Sequence, residues 1–345
     1  MIPLRLVTVS NYINKPVKKN NSKEDKLPPV LKSVIEPFAQ YFRRNNVIEI
    51  CINKPQEIWI ETYDGWEFHK DSKLTLNALT RFCEEIATAK GQEFGRKSPL
   101  LSTQIPVYGY RLQAVGSGVT EFSIALSIRV GASQTFPLES YLPSKESIKK
   151  GENKDLFEPV NDADFLRHIM RTGKNLLVSG GTNSGKTSLY NSLINEIPAG
   201  QRIVIIEDTQ ELVIPHANYV RLLISKSGTG VAPITYKDLI NVTMRLRPDR
   251  ILLGEIDVEN AFPFLRLAAS GHSGCMASLH ANDADSALDT LVKNSKLAGV
   301  QADATEIRGY AHSALDLLVQ VNKVTNTNRE FDIQFYTDKK TLLEL

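Results

Sequence analysis

Asn175-Leu-Leu-Val-Ser-Gly-Gly-Thr-Asn-Ser-Gly-Lys-Thr, residues 175–187, is the stretch whose reading decides the fold. Its first half is a short apolar run of strand length. Its second half, Gly180 to Thr187, fits the pattern G-x-x-x-x-G-K-[ST], and Ser188 to Asn195 reads as a helix. A strand, a glycine-rich loop and a helix in that order form an anion cradle. The glycines let the backbone of Gly180, Gly181, Thr182, Asn183, Ser184 and Gly185 wrap so that successive N–H groups and the helix start, with Ser188, face phosphates. Lys186 then reaches the β and γ oxygens, and the Thr187 hydroxyl suits Mg²⁺.

Outward from the loop, short apolar runs alternate with helical segments at 175–179, 203–206, 220–224, 251–254, 275–279 and 315–321. Strands separated by helices predict a parallel sheet covered on both faces, the α/β class. Such sheets bind ligands at the carboxyl ends of their strands. Arg202-Ile-Val-Ile-Ile-Glu-Asp-Thr-Gln-Glu delivers Glu207 and Asp208 there, with Glu211 in the following turn. Those carboxylates suit Mg²⁺ held through water, or the proton of an attacking water. A solvated acidic loop is the competing reading, and the upstream phosphate loop decides against it.

Arg250-Ile-Leu-Leu-Gly-Glu is a second such strand, with Glu255 just past its apolar run, whereas Asp249 precedes the strand and reads as turn chemistry. Gly271-His-Ser-Gly-Cys-Met-Ala-Ser-Leu-His puts His272 in a glycine turn and His280 at a strand end. Their spacing makes no helical metal pair, so they read as sensors of the γ-phosphate only beside the other segments. No Asn-Lys-x-Asp guanine-reading motif occurs, which favours ATP over GTP.

Composition bounds the remainder. At 345 residues the chain is long enough for two domains, because single cores split beyond roughly 250 residues. Residues 1–29 read as a flexible arm, 30–130 as a smaller α+β domain, 131–160 as a linker and 161–345 as the nucleotide domain. In 30–130 a helix feeds a hairpin at Ile48-Glu-Ile-Cys-Ile and Glu57-Ile-Trp-Ile-Glu, a second helix spans 74–90, and strands follow from Arg111 and Phe122. A net charge of +2 offers no broad polyanion-binding surface, so sequence-specific nucleic-acid binding is not expected. Three scattered cysteines form no Cys-x-x-Cys pair, which fits a reducing cytoplasm. No secretory signal is read at Met1-Ile-Pro-Leu-Arg-Leu, and no apolar run approaches the roughly 20 residues of a membrane-spanning helix.

In order, these segments resemble the hexameric traffic ATPases of type II and type IV secretion, in particular the type IV secretion and conjugation branch, the VirB-eleven type. The resemblance also covers Ile50-Cys-Ile-Asn-Lys-Pro, Ile58-Trp-Ile-Glu and Gly65-Trp66, and so spans most of the chain. It implies a RecA-like nucleotide domain behind the α+β domain, a ring of six subunits, ATP with Mg²⁺ between the two domains, and rocking of the first domain as ATP turns over. It further implies a place at the cytoplasmic face of the inner membrane, peripheral to it, with other secretion ATPases and inner-membrane channel subunits as partners.

In the family's terms the segments around Glu207, Glu255 and His272 to His280 are the Asp box, Walker B strand and His box. Lys186, Glu207, Glu211, Glu255 and His280 are thereby expected to act in hydrolysis, and which carboxylate orients water stays open. Thr187 and Asp208 are expected at the metal, and His272 at the nucleotide. Arg111 and Arg129 sit in the strand contexts from which the family's first domain sends arginines to the nucleotide. The family continues Leu-Arg after Gly-Glu where this chain has Ile256-Asp257, and Thr is common where it has Ser278. The lost cation supports an alternative, a nucleotide-gated docking scaffold with little hydrolysis.

Overall fold

The computed structural model describes residues 27–44, 46–62, 65–130, 137–143, 162–224, 234–323 and 329–336. Most of the expected arm and linker lies outside them. The first part of the chain is a six-stranded sheet backed by two helices. Helix α1 (Pro29–Phe42) starts on a proline, whose fixed φ and missing N–H suit a first helical turn. Helix α2 (Leu76–Ala89) is capped by Thr75, whose hydroxyl accepts the Ala78 N–H at 3.2 Å. The apolar stripes of the two helices meet at Phe38 and Phe82, with ring centroids 4.4 Å apart.

The strands are β1 (Val47–Ile52), β2 (Glu57–Thr62), β3 (Gly65–Lys70), β4 (Leu100–Gln104), β5 (Arg111–Val115) and β6 (Ala125–Arg129), in the order β3-β2-β1-β6-β5-β4. All pair antiparallel. Ile50, Ile52, Ile58, Ile60, Leu112, Ala114, Leu126 and Ile128 point into the core shared with the helices. Period-two alternation therefore puts Arg111 and Arg129 on the opposite face. The register makes them direct Cα partners.

The second part is an eight-stranded sheet with apolar cores on both faces. Its elements are β7 (Leu142–Pro143), α3 (Asp162–Thr172), β8 (Leu176–Gly180), α4 (Lys186–Ile194), β9 (Ile203–Glu207), β10 (Tyr219–Leu223), α5 (Tyr236–Thr243), β11 (Arg250–Leu253), α6 (Ala261–Ala268), β12 (Cys275–His280), α7 (Ala284–Leu297), α8 (Ala304–Ala314), β13 (Leu317–Lys323) and β14 (Arg329–Phe335). The order is β10-β9-β11-β12-β8-β13-β14-β7, parallel from β10 through β13, with β14 antiparallel to β13.

Every residue of β8, β9 and β11 is buried, as expected of strands covered on both faces. Two parts of the chain lie differently from their reading. Leu27, assigned to the arm, is buried in the first core. Leu142–Pro143, assigned to the linker, is an edge strand of the second sheet beside β14.

At the amino ends of these strands a buried polar network ties the layers together. The Asn175 side chain donates to the carbonyls of Ala268 and Ala314 and accepts the Cys275 N–H, each at 2.9 Å. Arg250, 2% exposed, donates to Gln201 Oε1 and to the Met170 carbonyl, both at 2.6 Å. Gly274 leaves it room: at φ +78°, a Cβ there would fall 2.4 Å from Arg250 Nη1. Asp249 accepts the Arg202 N–H at 2.7 Å, which is turn chemistry.

Candidate nucleotide site

The carboxyl ends of β8, β9, β11 and β12, four neighbours in the sheet, bring the sequence segments together around one cleft. The loop after β8 follows from its residues. Gly180 accepts no side chain, because a Cβ would meet Ser184 Oγ at 2.4 Å and the Val321 carbonyl at 2.8 Å. Asn183 and Gly185 take left-handed backbone, φ 60° and 95°, a conformation that Asn and Gly adopt at low cost. Helix α4 starts at Lys186 without a side-chain cap, so its first N–H groups face the cleft.

Lys186 is 6% exposed, and its Nζ has no hydrogen-bond partner among the described residues. Burial lowers its pKa to about 8, against the pull of Glu255 and Glu211. A buried ammonium without a partner costs free energy that an anion would return. The Ser184 hydroxyl is likewise buried and unpartnered.

Acidic groups approach from three sides. Glu255, after β11, lies 3.0 Å from Nε2 of His280, the last residue of β12. Glu211 accepts from Arg111 Nη1 at 3.1 Å and lies 3.5 Å from the Thr187 hydroxyl. Asp208 lines the cleft, its Oδ1 accepting the Thr209 N–H at 2.7 Å.

Glu207, expected among the residues of hydrolysis, lines the cleft and also holds the turn that follows β9. It is 2% exposed, its Oε1 accepts the N–H groups of Glu211 and Leu212 at 2.9 Å each, and Arg221 Nε stands 3.2 Å from its Oε2. That last pair is close but not aligned as a hydrogen bond. Burial pushes the Glu207 carboxyl up to about 7 although Arg221 and the two amides pull it down. One of its two oxygens, Oε1, is occupied in holding a turn.

The first sheet closes the cleft. Arg129 Nη2 donates to Asn183 Oδ1 at 2.8 Å, and Gln104 Nε2 donates to the Gln210 carbonyl at 2.5 Å. Arg111 and Arg129 lie directly opposite each other on β5 and β6, a like-charge pairing that is unfavourable without acceptors. Glu211 and Asn183 of the second sheet supply those acceptors.

His272 is not at this cleft. It precedes β12, and in a parallel sheet a residue before a strand lies at the end away from the loops that follow the strands. Its Nδ1 pairs with the Ser270 hydroxyl at 3.1 Å. Gln104 and Arg221 were not singled out by motif, since a strand-end glutamine and an edge-strand arginine look like surface residues.

Ser278 keeps the hydroxyl's use, donating to the Gly254 carbonyl at 2.6 Å. Ile256 is buried in the core, and Asp257 Oδ1 accepts the N–H groups of Glu259 and Asn260, at 3.0 and 3.3 Å, in the turn before α6. Among the described residues, no group of three or more His, Cys, Asp or Glu side chains is placed to hold a metal ion by itself.

Residues 144–330 match the family model described as type II/IV secretion system protein. The type IV secretion system protein VirB11 of Bartonella henselae is 31% identical over 337 residues, covering 90% of this chain and 94% of that protein. The type IV secretion system protein PtlH of Bordetella pertussis is 34% identical over 303 residues, covering 84% and 89%. Among solved structures, the pilus retraction motor PilT with bound ADP aligns with a TM-score of 0.60 at 16% identity, covering 92% of this chain and 85% of that one. It shares the architecture of a RecA-like domain behind a smaller α+β domain.

Proposed function

The chain belongs to the type II/IV secretion system protein family, within the type IV branch of its VirB11 and PtlH relatives, and we propose that it is a hexameric motor powering a type IV secretion or conjugation apparatus. It is an ATPase. The observation that carries the motor reading is the buried, unpartnered Lys186 Nζ in a cleft that both sheets line. Phosphate oxygens would satisfy it, and the first sheet would feel their presence through Arg111 and Arg129.

In this reading the N–H groups of Gly181 to Thr187 and the start of α4 bind the phosphates. The Thr187 hydroxyl, with Asp208 through water, would hold Mg²⁺, which when bound neutralises charge on the β and γ oxygens. Glu255 orients the attacking water and takes its proton, steadied by the His280 imidazole at 3.0 Å. Glu211, close to the Thr187 hydroxyl, would help to hold the metal through water. Arg111, held by Glu211 in this structure, is free to move to the phosphates, so nucleotide draws the two domains together.

The proposal includes ring assembly at the cytoplasmic face of the inner membrane, against other secretion ATPases and channel subunits; what the relatives support is membership of a type IV secretion system. No helix of the described residues is long and apolar enough to cross a membrane. Ile256 and Asp257, the support for a scaffold with little hydrolysis, are employed in core packing and a turn. The test is steady-state ATP hydrolysis by the purified chain and by Lys186→Ala, alongside substrate transfer in cells carrying each. Hydrolysis and transfer lost together support the motor; transfer intact with hydrolysis abolished sinks it.

A further inference from the structure

We infer that Arg221, on the edge strand β10, is a positioning residue for hydrolysis: acting on the buried carboxylate of Glu207, it fixes the turn 208–212 and with it the direction of Glu211. The inference rests on the ATPase reading for its catalytic consequence and on this geometry for the rest.

Glu207 sits where two turns of the site meet. Its Oε1 receives the Glu211 and Leu212 N–H groups. Its Cγ packs so closely on Gly254 that a Cβ there would come within 3.0 Å, and Gly254 is the residue before Glu255. One carboxylate therefore braces the backbone beside both candidate water-handling acids. It is 1% exposed at the side chain, and a carboxyl group so buried calls for a charged or hydrogen-bonding partner beside it.

Arg221 supplies that charge from 3.2 Å and also grips the turn, its Nη2 donating to the Leu212 carbonyl at 2.6 Å. The guanidinium is steadied in turn by the Tyr219 ring, 5.9 Å from its centroid. On the far side, Asn191 Oδ1 accepts the Val213 N–H at 2.8 Å, so the turn is clamped between α4 and β10. From the first sheet Gln104 takes the Gln210 carbonyl. The turn is thus the joint at which the two sheets and the Thr187 hydroxyl meet, and β10 holds it in place.

The alternative is an ion pair that merely stabilises the core, and kinetics separates the two. Arg221→Gln should lower kcat roughly ten- to a hundredfold while KM for ATP stays within about threefold, because the phosphate loop is untouched. Arg221→Lys keeps the charge but not the bond to Leu212, and should lose only about three- to fivefold. Hydrogen exchange of the 208–213 amides, read by mass spectrometry on the full chain, should speed about tenfold or more in Arg221→Gln, with β8 and β9 unchanged.

Wild-type kcat in Arg221→Gln overturns the inference, as do unchanged exchange in 208–213, a KM that rises in step with the fall in kcat, or a loss in Arg221→Lys as deep as in Arg221→Gln. Should Arg221→Gln fail to fold, Arg221→Lys carries the test, and wild-type kcat and exchange in it overturn the proposal. A wild-type chain that hydrolyses no ATP, with exchange responding as stated, would strike the motor reading and leave the turn's positioning in place.

Discussion

The two ends of the second sheet each bury a cation, and they treat it in opposite ways. At the amino ends Arg250 is bound to Gln201 and Met170 and given room by Gly274. At the carboxyl ends Lys186 is buried to a similar depth, with no acceptor among the described residues. Arg250 belongs to the folding of the sheet. Lys186 is held at a cost in free energy by a loop whose shape is otherwise well determined, which is the signature of a group awaiting a ligand. Burial alone does not separate structure from function here; the presence or absence of partners does.

The sharpest test of that contrast is Lys186→Ala. Turnover should fall by about three orders of magnitude or more, since no other cation of the loop can replace a point charge on the transferred phosphate. Circular dichroism should be unchanged. Arg250→Ala should do the reverse, costing about 3 kcal/mol or more through lost hydrogen bonds and a cavity. Denaturant titration reads the loss, and ATP affinity of the folded fraction should hold.

The nucleotide-free stability of Lys186→Met sharpens the comparison further. With its pKa at about 8 in the fold against an ordinary 10.5, Lys186 binds a proton less readily folded than unfolded. The cost is fully present below pH 8, and wild-type stability should rise as pH climbs from 8 towards 10.5. Lys186→Met should therefore melt higher than wild type at neutral pH, by about 1 to 3 kcal/mol, and lose that pH dependence. Equal stability at pH 7 would mean that the ammonium has found a partner.

Smaller effects follow away from the loop. Arg129→Ala should weaken ATP binding by about tenfold, the value of one charge-assisted contact that is partly screened. Calorimetry with a non-hydrolysable analogue measures it. His272→Ala, at the amino end, should change affinity less than about threefold. A larger loss would return His272 to the nucleotide.

The nucleotide domain was readable because its strands are continuous apolar runs that end in the residues of the site. Ile203-Val-Ile-Ile-Glu and Ile251-Leu-Leu-Gly-Glu announce strand, direction and carboxylate at once. Position along a strand separates Asp249, before β11, from Glu255, after it. The same reasoning applied to His272 would have placed it at the far end; motif membership overrode it. Gly65–Lys70 escaped as a strand because it is an exposed edge with no inward face to pattern.

Leu100–Gln104 has no clear alternation, whereas Arg329–Phe335 does alternate and carried a legible signal. Gln104, which acts 106 residues away, and Arg221, which acts nine residues back, were out of reach because each bonds a backbone carbonyl that no side-chain pattern marks. The role of Glu207 was hidden for a similar reason: its hydrogen-bond partners are backbone amides.

The direct pairing of Arg111 with Arg129 carries a rule about length. Side chains along a strand change face at every residue, so a single residue inserted within β6 ahead of Arg129, its last residue, would swing that arginine under the helices and out of reach of the loop. Two residues would restore the face while moving the charge along the strand by about 7 Å, more than a guanidinium can make up. Between these strands the connecting loop, 116–124, is free to grow without touching either constraint. Insertions should therefore be confined to that loop in any relative that keeps both arginines at the nucleotide, which makes chain length, counted strand by strand, a diagnostic of the clamp.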